Sequence, residues 1–266
     1  MLYSAVTYPM KISLEVCAGS VHSAIAAQEG GASRIELCEN LQQGGTTPSY
    51  GQIKITRKLL QIPVHVLLRP RPGDFLYSDL EFDIIKQDLE YCIEAGCDAV
   101  VIGILNADGT VDKSLCAELM QLAKQGGLYT TFHRAFDLCT DLNKSLEDVI
   151  DLGFDCILTS GGKTTAIEGA SKIAQLIQRA DDRICIMPGG GVSEYNVADL
   201  VNFTGATKIH SSARVRRRSA MTFQNTQIIV GSGYSDEYDI DETDTERVKN
   251  IIIKANEQHT SILKNA

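Results

Sequence analysis

The chain has 266 residues, a formal net charge of −9 and a hydrophobic content of 44%. This length matches one closed α/β barrel, and the apolar content is enough for a sizeable core. A general nucleic-acid-binding protein would be basic, so the charge argues against that class of function. The one basic run, Arg214–Arg218, is expected to be a solvated surface or the grip for a small anion.

No segment is long and apolar enough to span a membrane, and residues 1–9 lack the basic start and apolar run of a signal peptide. We therefore expect a cytoplasmic protein with no membrane or nucleic-acid partner. The eight cysteines should then be reduced thiols, most of them serving as small buried residues.

Eight short β-rich runs recur along the chain, and an amphipathic segment with apolar residues at helical spacing follows each of them. The runs are 11–17, 34–38, 64–69, 99–104, 128–133, 156–160, 183–187 and 207–211. Glycines that can end a helix precede five of them, at Gly31, Gly96, Gly127, Gly153 and Gly205. This alternation predicts an α/β fold with a parallel sheet, closed as a (β/α)8 TIM barrel. An open doubly wound sheet is the alternative, but no G-x-G-x-x-G follows the first strand.

We predict one domain, with the barrel over about residues 11–218 and a helical C-terminal extension over about 219–266, packed on the barrel as a tail. The acidic stretch 236–246 is predicted to be a solvated loop. Residues 248–262 have helical periodicity, and Asp244 or Thr245 could cap this last helix.

Side chains alternate along a strand, so the polar set of each strand should face the barrel lumen while the apolar set faces the helices. The expected lumen set is Ser13, Glu15, Cys17, Arg34, Glu36, Cys38, His65, Arg69, His133, Lys208, His210 and Ser212. Buried charges must be paired, so one interpretation is a structural network in which Glu15 pairs with Lys208 and Glu36 with Arg34. That network does not account for the polar residues that collect at the upper strand ends, where barrel active sites lie.

The upper strand ends predict a site for an anion, because arginines and glycine-rich turns meet there. The residues expected to bind the ligand are Arg69, Arg71, Arg134, Ser160, Gly161, Gly189, Gly190, His210 and Ser212. One hypothesis is therefore an enzyme (a lyase, isomerase or hydrolase) acting on a small anionic, possibly phosphorylated, metabolite. Its acid–base candidates are Glu15, Glu36 and His133, with Asp137 or His210 orienting a partner.

The same segments resemble the CutC family of copper-homeostasis proteins. They are 14–17 (LEVC), 31–38 (GASRIELC), 44–49 (GGTTPS), 69–78 (RPRPGDFLYS), 131–137 (TFHRAFD), 157–162 (ILTSGG) and 210–213 (HSSA). The resemblance runs from about residue 11 to 214, and residues beyond about 219 are expected to lie outside it. It implies a (β/α)8 fold, a cytoplasmic location and a part in copper handling.

In that family, Cu(I) binding is attributed to the cysteines of the LEVC and IELC segments, which are Cys17 and Cys38 here. Thiolates are soft ligands that suit Cu(I), and neighbouring strands about 4.8 Å apart would hold both at similar heights. The first hypothesis is thus a copper-homeostasis protein that binds Cu(I) at the barrel mouth. Cys92 and Cys97 are expected to be core thiols only, and barrels of this kind often form homo-oligomers, which we expect here too.

Overall fold

The computed structural model describes residues 11–225, 227–228, 230 and 237–257. Eight strands alternate with eight helices. The strands are β1 (Ser13–Ala18), β2 (Arg34–Leu37), β3 (Val64–Leu67), β4 (Ala99–Ile102), β5 (Tyr129–Phe132), β6 (Cys156–Thr159), β7 (Cys185–Pro188) and β8 (Lys208–Ser211). The helices are α1 (Val21–Glu29), α2 (Tyr50–Leu59), α3 (Asp79–Glu94), α4 (Lys113–Gln125), α5 (Leu142–Leu152), α6 (Ala170–Ala180), α7 (Val197–Thr204) and α8 (Thr245–Glu257). All eight predicted strands are confirmed.

The eight strands form one parallel sheet in the order β7-β6-β5-β4-β3-β2-β1-β8. β1 pairs with β2 on one side and with β8 on the other. β7 and β8 also contact each other, although no ladder joins these two strands in the described part of the chain. The predicted (β/α)8 barrel is confirmed as a nearly closed barrel, and the open doubly wound sheet is not the fold.

Local sequence signals set the ends of the helices. Ser20, Ser49 and Ser78 accept a backbone N–H at the start of α1, α2 and α3, and Asp112 and Asp141 do so for α4 and α5. The five glycines that precede strands all have φ between +70° and +89°. A side chain would be strained in this conformation, so these positions turn the chain from helix to strand.

The apolar sets of the strands pack outward against the helices, as predicted. Val16, Ile35 and Val100 are fully buried and belong to one core cluster with the inner faces of the helices. The opposite faces of the strands are left for the lumen, where polar and thiol side chains meet.

The predicted C-terminal helix is confirmed and packs on the barrel with an apolar face. α8 contacts α7, α1 and β1, and its buried residues Val248, Ile251 and Ala255 join the core cluster. Asp244 accepts the Arg247 N–H at 3.0 Å, so Asp244 is the cap. The apolar face of α8 thus fills the gap between the first and seventh helices. Residues 258–262 of the predicted helix lie outside the described residues.

The basic and acidic runs form a hairpin, which corrects the predicted acidic loop. β9 (Arg214–Arg218) pairs antiparallel with β10 (Asp239–Thr243). Residue 236, the start of the predicted loop, lies outside the described residues. Opposite charges face each other across this ladder, with Arg218 3.1 Å from Asp239. The predicted boundary at residue 218 therefore falls inside one hairpin.

Among the described residues, no helix combines the length and apolarity needed to cross a membrane. The structure describes a single chain, and the expected homo-oligomer stays a prediction.

Candidate functional site

A buried ion network centred on Glu15 occupies the lower lumen. Glu15 Oε2 accepts from Arg34 Nε at 2.5 Å, and Oε1 lies 2.8 Å from His210 Nδ1. His65 Nδ1 lies 3.3 Å from Oε2. Burial alone would raise the pKa of Glu15, but Arg34 and the two histidines hold it well below its usual range. Glu15 is therefore a carboxylate that fixes its neighbours.

Both ion pairs suggested by the sequence are corrected. Glu15 stands opposite Arg34 in the β1–β2 register, so Arg34 pairs with Glu15 and not with Glu36. The Lys208 ammonium lies over the Tyr129 ring instead, 5.5 Å from its centroid. A structural network does exist in the lower lumen, but with different partners.

Above this network, Cys17, Glu36 and His210 converge. Cys17 Sγ donates to Glu36 Oε2 at 3.1 Å, and His210 Nε2 lies 3.7 Å from the same oxygen. One ligand atom from each residue lies within 4.8 Å of the others, and all three residues are buried. The hydrogen bond between His210 Nδ1 and Glu15 turns Nε2 toward Cys17 and Glu36, in the way that a carboxylate behind a metal-binding histidine orients its ring.

Cys38 joins this group from the neighbouring strand. Its Sγ lies 3.3 Å from Cys17 Sγ, although the register sets Glu36 opposite Cys17 and so places Cys38 two residues further along, not at the expected similar height. Cys38 is fully buried and packs with Leu67 and Val101. All eight cysteines lie in the described ranges and are free thiols. We call Cys17, Cys38, Glu36 and His210 the thiol cluster.

The environment shifts the proton affinities of the cluster in opposite directions. The hydrogen bond with Cys38 and burial raise the pKa of Cys17 well above its usual value, and burial raises that of Glu36. Burial would lower the pKa of His210, but its hydrogen bonds with Cys17 and Glu15 and the charge of Glu36 raise it well above 6.5. The thiol of Cys17 thus holds its proton more tightly than a free cysteine does, and a carboxyl group with a raised pKa stands beside it.

A cavity of about 370 Å³ opens above the cluster at the C-terminal ends of the strands. We call it the mouth cavity. The predicted site residues that line it are Cys17, Glu36, Arg69, His133, Arg134, Gly190, His210 and Ser212. The structure thus brings together residues from β1, β2 and β8 on one side and from the ends of β3 and β5 on the other.

Other predicted site residues stand outside this lining. Glu15 lies in the network below, and Cys38 lies behind Cys17. Asp137 accepts hydrogen bonds from Thr159 Oγ1, Ser160 N, Gly162 N and Arg134 Nε, so it fixes the turn after β6. Ser160 and Gly161 belong to that turn.

Two more predicted residues also stand apart from the mouth cavity. A Cβ at Gly189 would lie 2.5 Å from Leu158, so this glycine allows β7 and β6 to approach closely. Arg71 bonds with Glu81 and with Asp74, and it is absent from the cavity lining.

Phe75 is a residue of the site that sequence reasoning missed. Its ring stacks against His133 with centroids 4.8 Å apart, and the Arg69 guanidinium lies 4.9 Å from its centroid. Its position in the loop after the third strand was the one sequence feature that pointed to the site. An aromatic residue in such a loop does not by itself indicate a binding site.

Comparison with known proteins gives consistent matches. The sequence pattern of the CutC family matches residues 12–215. The copper homeostasis protein cutC homolog of Homo sapiens is 45% identical over 239 residues, which is 90% of this chain and 87% of that protein. A family protein CutC of Chromobacterium violaceum is 48% identical over 236 residues, covering 89% and 95%.

A solved structure of CutC from Streptococcus agalactiae superposes with a TM-score of 0.72 at 38% identity, covering 76% of this chain and 98% of that one. The family pattern ends at residue 215, as expected, whereas the match with the human protein spans more residues than lie before residue 219.

Proposed function

The chain belongs to the CutC family, and we propose that it binds Cu(I), in a reducing cytoplasm, through Cys17 and Cys38 at the mouth of its barrel. The observation that carries the proposal is the 3.3 Å separation of the two buried sulfur atoms. Thiolates are the protein ligands that best suit a soft monovalent copper ion. In this role copper is the cargo that the protein holds and passes on.

His210 is the third donor that we assign to the ion. Its Nε2 lies on the cluster side of the ring because Nδ1 is held by Glu15 at 2.8 Å. Glu36 is a harder ligand, and its raised pKa suits it better to accept a proton when Cys17 ionises. Cys17 is thus the central residue, with Cys38 and His210 on either side of it.

An anaerobic titration of the reduced protein with Cu(I), against a competing chelator, tests the proposal. We expect one ion per chain, with binding lost in the Cys17→Ser/Cys38→Ser variant. The matched control is Cys92→Ser/Cys97→Ser, because these two thiols are also buried neighbours but lie on α3 and the turn after it. Unchanged binding in the first variant, or equal losses in both variants, would contradict the proposal.

A catalytic role for Glu15, Glu36, His133 and Asp137 remains a second proposal. Glu36 and His133 line the mouth cavity. Glu15 is instead bonded within the ion network, and Asp137 is bonded within the turn after β6. An acid–base reaction in this cavity would therefore depend on Glu36 and His133.

A further inference from the structure

His133 is a buried imidazole with one nitrogen that lacks a partner. It is 4% exposed and lines the mouth cavity at the end of β5. Its Nδ1 accepts the N–H of Ala135 at 3.1 Å. A backbone N–H is always a donor, so Nδ1 carries no proton and Nε2 must carry it. Across the described ranges of the chain, this Nε2 has no hydrogen-bond partner.

Arg69 is a buried guanidinium on the same cavity wall, and it is 5% exposed. Its Nη1 donates to the carbonyl oxygens of Gln43 at 3.0 Å and Gly45 at 2.7 Å, and Nη2 donates to that of Gly73 at 2.7 Å. These acceptors are neutral. Within the portion of the chain that the structure describes, Nε has no partner. The loops therefore hold this cation without neutralising it.

A buried cation without an ion-pair partner is costly, and the neighbouring Arg134 is already paired with Asp137 at 2.8 Å. Arg134 lines the same cavity, where its Nη1 lies 3.3 Å from the position that a Cβ on Gly190 would take. Burial and the charge of Arg69 lower the pKa of His133 to about 3, so its ring stays neutral and remains a donor. This wall cannot ligate a cation, whereas it offers N–H groups and charge to an anion.

We propose that the Arg69–His133 wall, made of Arg69, His133 and Arg134, binds a small oxyanion, which is a carboxylate or a phosphate group. The Nε–H of Arg69 and the Nε2–H of His133 donate to its oxygens, and Arg134, whose Nε is held by Asp137, can add an N–H from its Nη1. The site goes beyond copper binding, because Cu(I) is a cation and its donors lie on β1, β2 and β8. The cavity volume of about 370 Å³ falls in the range of small-molecule sites, so the oxyanion can belong to a metabolite.

Calorimetric titration with inorganic phosphate and, separately, with succinate tests this site at constant ionic strength set by chloride. We expect saturable binding of at least one anion, and the tighter one identifies the group. His133→Phe keeps an aromatic ring beside Phe75 but removes the donor, and Arg69→Met removes the charge. Each should weaken binding roughly tenfold or more, since hydrogen bonds to charged groups are the stronger ones.

Arg71→Met is the matched control, because this arginine lies two residues from Arg69 and outside the cavity lining. It should leave the affinity unchanged. Circular dichroism verifies that each variant folds, and where Arg69→Met does not, His133→Phe decides alone. The proposal is overturned if neither anion binds more tightly than chloride, or if His133→Phe binds as the wild type does.

Discussion

The two sides of the mouth cavity differ in how completely their polar groups are satisfied. On the thiol side, Glu15 bonds with Arg34 and His210, and Cys17 bonds with both Glu36 and Cys38, although His65 Nδ1 makes no hydrogen bond within the described residues. On the opposite wall, Arg69 Nε and His133 Nε2 have no partner among the described residues. The hydrogen bonds of the thiol side hold its thiol, carboxylate and imidazole groups in place. The opposite wall has N–H groups that are free to donate to an acceptor on a bound ligand. The two sides of the cavity therefore suit different ligands.

Removing the centre of the satisfied network should have the largest effect on stability. Glu15→Gln leaves the buried charges of Arg34 and His210 without their partner, so we expect a loss of about 3–5 kcal/mol in the free energy of unfolding. Urea denaturation measures it. Glu246→Gln, an exposed residue in the first turn of α8, is the control and should change little. A small effect at Glu15 would mean that the network does not stabilise the barrel.

Substituting one histidine on each side of the mouth cavity should show which side binds copper. His210→Gln removes a donor of the thiol cluster, and we expect the Cu(I) dissociation constant to rise by about ten- to a hundredfold. His133→Gln on the opposite wall should leave it unchanged. The competition titration measures both variants, and a loss of affinity in His133→Gln would erase the distinction between the two sides.

On the Arg69–His133 wall, the lowered pKa of His133 should make the free energy of unfolding depend on pH. The pKa of His133 is about 3 in the fold, against an ordinary value of 6.5. Between these two values the unfolded chain binds one proton that the folded chain does not. The contribution of His133 to the free energy of unfolding is therefore constant above about pH 6.5 and falls toward pH 3, by up to about 1.4 kcal/mol per pH unit.

His133→Gln lacks this titration and is the comparison for the wild type. Chemical denaturation between pH 6 and pH 4 should show a shallower decline in the variant, as far as the protein stays folded. Parallel curves would indicate that the imidazole of His133 becomes protonated within the folded protein.

The exposed part of the charged hairpin, beyond Arg214 at the cavity rim, should have the smallest effect. Arg217→Glu reverses a charge that lies 2.9 Å from Asp244 and 3.6 Å from Glu242. Such exposed pairs contribute at most about 1 kcal/mol, and salt screens them. Thermal unfolding at low and high salt should show a small difference that shrinks as salt is added. A large, salt-insensitive loss would assign the hairpin a structural role like that of Glu15.

The strand pattern was predictable because it depends on local alternation and on glycines that end helices. The same alternation placed Cys17 and Cys38 on the lumen face of two neighbouring strands. The relative shift of β1 and β2 was not predictable, because no local signal gives the register of a parallel pair. That shift is what pairs Glu15 with Arg34 instead of pairing Glu36 with Arg34.

The different contacts of Arg69 and Arg71 could not be predicted from the sequence either. Both stand in one loop that is rich in proline and glycine, and only the folded loop shows that one is buried against carbonyl groups while the other pairs with Glu81. The unpaired nitrogen of His133 likewise depends on the short turn that brings the Ala135 N–H to Nδ1. Such contacts are set by loop conformation rather than by residue type.

X-ray absorption at the copper edge of the Cu(I)-loaded protein identifies the atoms that bind the ion. With one ion bound per chain, we expect two sulfur neighbours and one nitrogen neighbour, with both sulfurs lost in Cys17→Ser/Cys38→Ser and retained in Cys92→Ser/Cys97→Ser. A copper ion surrounded only by nitrogen and oxygen, or sulfur neighbours that persist without Cys17 and Cys38, would contradict this expectation.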